Sequence, residues 1–109
     1  MHWKYKMKSN LAKLILLSVF CINVSAEVME FNEPRVEGLR MDRCLTWGET
    51  CDLPAANAWC MKHDFVKAIY WEMDNNIAQN EPTKMLLSKQ ICNKSGCDGF
   101  KVIVCYKPT

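Results

Sequence analysis

Beyond residue 26 the chain has a single histidine, His63, no Cys-x-x-Cys pair and no excess of basic charge. Each absence removes a class of function. A lone histidine leaves few ways to build a base-and-orienter pair or a His-rich metal site. Without Cys-x-x-Cys spacing, the usual zinc-ribbon and zinc-finger patterns are missing, so zinc is the weaker reading of the cysteines. A nucleic-acid binder would show a basic patch or stripe, and none is present. There is also no internal repeat, low-complexity tract or second hydrophobic core, so the chain holds one small domain.

What is present begins with a segment that does not belong to that domain. Residues 2–13 carry Lys4, Lys6, Lys8 and Lys13 and no acid, and Leu14–Val24 follows as eleven mostly apolar positions. Val24-Ser25-Ala26 then supplies the small residues that signal peptidase reads. A helix of that apolar length rises only about 16 Å, too short to cross about 30 Å of hydrocarbon. Residues 1–26 are therefore expected to be a secretory signal cleaved after Ala26. The mature chain of 83 residues has ten Lys and Arg against twelve Asp and Glu, a balance of −2. The basic character of the precursor belongs to the targeting segment.

Cleavage also removes Cys21 and leaves Cys44, Cys51, Cys60, Cys92, Cys97 and Cys105. An even count in a short secreted chain reads as a disulfide framework. So small a domain buries little apolar surface and needs such staples. Residues 27–43 contain five acids, Pro34 and Gly38 with no sustained period, and are expected to form an extended, partly mobile acidic arm; a propeptide is the alternative. Residues 44–109 form the disulfide-rich domain.

Cys44–Cys51 reads as a tight loop with Gly48 at its turn. Asp52 is the expected N-cap of a helix reaching His63, with Pro54 in its first turn, where a missing N–H costs nothing. Phe65–Met73 switches to β-branched and aromatic residues and reads as a strand, ended by Asp74-Asn75-Asn76. Short strands follow at Thr83–Leu87 and Gln90–Cys92. Phe100–Lys107 is the clearest strand and the expected centre of the sheet. The predicted fold is α+β, with one short helix packed on a small antiparallel sheet and three disulfides. The expected bridges are Cys60–Cys105 from helix to last strand, and the local pairs Cys44–Cys51 and Cys92–Cys97.

Catalysis finds little support. His63-Asp64 would have to recruit Ser88 or Ser95, yet adjacent residues at a helix end rarely point at each other and no nucleophile motif accompanies them. A structural His63 in the last helical turn suits the macrodipole. No cofactor is implied. Asn93-Lys94-Ser95 is an N-glycosylation triplet in a predicted turn. The rings of Trp47, Trp59, Tyr70, Trp71 and Tyr106 are the most suggestive binding feature, because exposed Trp and Tyr anchor interfaces. Trp59 is expected in the core. Trp47, and either Tyr70 or Trp71 on opposite strand faces, stand open between core and site. In the loop Glu81–Leu86, Lys84 is a candidate for entering a protease specificity pocket, against a plain solvent-exposed connection.

The run C-L-T-W-G-x-x-C-x-x-P-A-A-x-A-x-C over Cys44–Cys60, with C-D-G-F-x-x-I-x-C over Cys97–Cys105, resembles an uncharacterised group of small secreted cysteine-rich proteins, met mainly in plants and also among bacterial exported proteins. The resemblance covers most of the mature chain, implies a stand-alone extracellular module and transfers no catalytic residue. Lys62-His63-Asp64 stands where the group has a glycine-containing turn before Phe65. These readings lead to a secreted, non-enzymatic, monomeric binding protein of defence type, whose partner is an extracellular carbohydrate or protein and neither nucleic acid nor membrane. A protease inhibitor using Lys84, or a receptor ligand with a processed arm, are the alternatives.

Overall fold

The computed structural model describes residues 25–109, so Asn23, Cys21 and nearly all of the expected signal segment lie outside the described residues. The last strand, β9 (Gly99–Pro108), is the longest, and it carries the β-branched run Val102, Ile103 and Val104 that favours a pleated surface. It is central to a three-stranded antiparallel sheet, flanked by β1 (Ala26–Asn32) and β6 (Lys67–Asp74). Ile103 and Cys105 point to the helix side and are fully buried. The register of β6 on β9 slips twice, at Ile69 and opposite Lys101, as single-residue bulges. Because of the first slip, the consecutive residues Ile69 and Tyr70 are both half-exposed.

Helix α1 (Leu53–Lys62) lies on this sheet through Ala55, Ala56, Trp59 and Cys60, all buried. The two alanines let the helix approach closely, and Cys60–Cys105 ties it to β9. Pro54 occupies the first turn as expected, but Asp52 does not cap with its side chain. Its carboxylate goes instead to Arg43, at 2.9 and 3.2 Å. At the other end the His63 Nδ1–H donates to the Trp59 carbonyl at 2.8 Å, and Asp64 adopts φ 67. That left-handed conformation is the one glycine adopts most readily. Asp64 therefore makes this turn at some backbone cost.

A second layer consists of short strands, β2 (Arg35–Val36), β3 (Leu39–Met41), β7 (Thr83–Lys84) and β8 (Ile91–Cys92), in the order β2-β3-β7-β8, with β3 and β7 parallel. A hairpin of β4 (Cys44–Thr46) and β5 (Glu49–Cys51) is closed by the Cys44–Cys51 bridge. The third bridge, Cys92–Cys97, rings the loop before β9. The layers meet at Gly99, where a Cβ would lie 2.8 Å from Ile77 Cδ1 and 3.3 Å from the Met41 carbonyl oxygen. The fold is thus α+β, with one helix on a small antiparallel sheet and three disulfides. Among the described residues no helix is long and apolar enough to cross a membrane.

Residues 27–43 are not an arm beside the domain but part of it. β1 pairs with β9 along seven residues, and Phe31 meets Trp59 edge-on at 5.5 Å and Phe65 at 6.2 Å. Val36 and Met41 are in the core. Two of the charges in this stretch, Arg40 and Asp42, are buried and paired, while the other charged side chains stay exposed. Arg40 donates to Asp74 at 2.7 Å and to the Phe100 carbonyl at 2.8 Å, while Asp42 accepts from the Thr83 hydroxyl and from the Cys44 N–H. Removing Asp74 or Thr83 would take a close partner from the buried Arg40 or Asp42, a costly outcome.

Candidate functional site

The hairpin β4–β5 and the Cys92–Cys97 ring face each other across a cleft of about 260 Å³. Trp47 stands at the hairpin turn, Lys94, Ser95 and Gly96 form the opposite wall, and Asp42, Arg43 and Asp98 line the base. A bridge braces each wall within a few residues, which limits the ordering cost of binding. The ring is also tied from outside, since Gly96 N–H donates to the Asn76 side chain at 2.6 Å and Asn76 N–H donates to Asp98 at 2.7 Å.

The polar groups at the base are committed to one another. Arg43 forks onto Asp52 and lies 3.6 Å from Asp98. Hydrogen bonding to Asp52 pushes its guanidinium further above its already high range. Asp42 is held by Thr83 and by the Cys44 N–H. Trp47 is different. It is 45% exposed, and the Lys94 ammonium lies 4.9 Å from its ring centroid. A flat, exposed indole over a small concave base suits stacking of a ring-shaped ligand. Typical pockets for drug-sized ligands run about 300–1,000 Å³, so this cleft is sized for a single small ring.

The other sequence-predicted residues do not join Trp47. Tyr70 is 50% exposed but stands on the face of the sheet turned away from α1, beside Val104 of β9. Glu72, two residues on along the same face, holds the Tyr70 phenol above its ordinary range, chiefly by hydrogen bonding. Trp71 points the opposite way, is partly buried and packs against the core. It fills space under the helix and is not a surface ring. Trp59 is buried at the helix–sheet contact and stacks on His63 at 4.1 Å.

Lys84 is likewise misplaced for a protease-inhibiting role. It lies in β7, flanked by β3 and β8, with its ammonium 2.5 Å from Glu37 and its side chain 16% exposed. That contact, with Lys89 adding to it, holds the Glu37 carboxyl below the usual carboxylate range. Met85 and Leu86, which would follow in a presented loop, are buried. Asn93, Lys94 and Ser95 are all exposed, so the disulfide ring leaves the glycosylation triplet accessible. His63 spends its Nδ1 on Trp59, and no recorded hydrogen bond joins it to Ser88 or Ser95. The six cysteines of the described residues are all in bridges, which withdraws them from zinc. Sequence reasoning singled out Trp47 and missed Arg43, only four residues away, as well as Lys94 and Asp98, whose place beside it depends on the chain returning after more than 40 residues.

No protein-family model, curated protein or solved structure matches this chain.

Proposed function

We propose that this chain is a small secreted, non-enzymatic binding protein that holds an extracellular carbohydrate against Trp47, in a role of defence type. The observation that carries the reading is the exposed indole at the mouth of a cleft whose two walls are each closed by a disulfide. The disulfides themselves fit an oxidising, extracellular setting. Asn93, exposed and next in sequence to Lys94 of the cleft wall, is the residue that would carry an N-linked glycan. A mass shift of the secreted chain that Asn93→Gln abolishes would show it.

The test of the binding reading is retention of the purified oxidised protein on insoluble chitin, cellulose and crude cell wall, with reduced protein as control. Retention that needs the disulfides and is lost in Trp47→Ala is the expected result. Absence of retention on all matrices would move the weight to protein partners.

A further inference from the structure

We propose that the sugar this cleft takes is anionic, a hexuronate whose ring stacks on Trp47 and whose carboxylate pairs with the Lys94 ammonium. The proposal rests on the reading of the Trp47 cleft as a carbohydrate site and names the class of sugar. It follows from a charge inventory of the cleft. Arg43 is matched by Asp52 and Asp98, Asp98 also accepts from Asn76, and Asp42 is satisfied by Thr83 and Cys44. Lys94 alone among the charged groups of the cleft has no recorded carboxylate partner in the described residues, and its charge rests on the indole face. Its cation–π contact is the weaker kind, made at an exposed site.

A sugar that stacks on the face of Trp47 covered by Lys94 must move that ammonium off the ring. A neutral sugar displaces the cation and returns nothing charged to it. A uronate displaces it and offers a carboxylate at the edge of the stacked ring, within the sweep of a flexible four-carbon stem. The exchange replaces a cation–π contact with a charge-assisted hydrogen bond, the stronger of the two classes. Attraction between Lys94 and a carboxylate at this open site is screened by salt. The preference for the anionic sugar must therefore shrink as ionic strength rises.

The experiment is calorimetric titration of the secreted, oxidised chain with trigalacturonate and with its fully methyl-esterified counterpart, which keeps the ring and removes the charge. The expected result is binding about tenfold or more tighter for the free acid at low salt, narrowing at higher salt. In Lys94→Met, which keeps the stem and the Asn93 triplet, the two probes should bind alike. Equal affinity of the wild-type chain for acid and ester would overturn the proposal while leaving the carbohydrate reading in place. A preference for the acid that survives Lys94→Met would also overturn it, by placing the recognising cation elsewhere. If neither these probes nor neutral chito- and cello-oligosaccharides bind, the carbohydrate reading fails and the proposal falls with it.

Discussion

Trp47 and Tyr70 are exposed to nearly the same degree, 45% and 50%, yet they stand in opposite kinds of surroundings. Trp47 lies in a concave cleft between two disulfide-closed loops, next to a cation without a carboxylate partner among the described residues. Tyr70 lies on an open sheet face with Ile69, Val104 and Tyr106 around it, and Glu72 holds its phenol above the ordinary range. Scattered exposed apolar side chains are ordinary on protein surfaces. Concavity, bracing and an uncommitted polar group separate a candidate site from mere exposure, and only the first region has all three. The regions also differ in what holds them. The sheet owes its order to a packed core and to a bridge spanning 45 residues, the cleft to bridges spanning 7 and 5.

The largest effect should come from cutting the long bridge. In the chain-entropy picture, closing a loop of 45 residues contributes about 4 kcal/mol, a large share of what a small domain has. Cys60 and Cys105 are also fully buried between α1 and β9. The double substitution to alanine should bring the urea midpoint close to zero and lose both regions together. Retention of most of the wild-type stability would mean that the core, not the bridge, holds the sheet.

Replacing Cys92 and Cys97 by serine should divide the two regions instead. That ring is short, and its closure contributes about 2 kcal/mol in the same picture. Asn76 still ties the loop through Gly96 and Asp98. The chain should keep a cooperative unfolding transition but lose retention on the matrix that the wild type prefers. If retention persists, rigidity of that wall is not what makes the site.

Much of the fold was legible from the sequence because its signals are local. The β-branched run of β9, the Pro54 start of the helix and an even cysteine count each need only a few neighbouring residues. Residues 27–43 were not legible as core. Arg40 and Asp42 find partners 34, 60 and 41 positions away, and nothing in their own neighbourhood announces that these charges are buried. The same holds for the site. Trp47 was visible as a ring in a glycine loop, but the Lys94 that completes the cleft arrives from a distant turn. The bulge at Ile69 and the inward turn of Trp71 follow from register, which alternation alone does not fix once a residue is inserted.

Two surface substitutions then compare the aromatics directly. Trp47→Ala and Tyr70→Ala should each change stability by no more than about 0.5 kcal/mol, as expected for exposed residues away from the core. Only Trp47→Ala should abolish retention. Equal loss in both would mean that the ligand spans from the cleft to the sheet face, and the contrast between the regions would collapse.

The smallest effect is spectroscopic and concerns whether the Tyr70 hydroxyl is already occupied. Hydrogen bonding to Glu72, aided by burial and by its negative charge, raises the phenol in the folded chain above its unfolded value. The sign follows directly. The folded state holds the phenolic proton more tightly, so this contact stabilises below the ordinary tyrosine pKa and is lost as pH rises through the raised one. An alkaline absorbance titration should therefore show one tyrosine ionising late, and Glu72→Gln should bring that step back toward the ordinary value. If the late step is unchanged by Glu72→Gln, the hydroxyl is not committed to Glu72. The sheet face would then keep a free polar group beside its exposed ring, one of the features that otherwise distinguish the cleft.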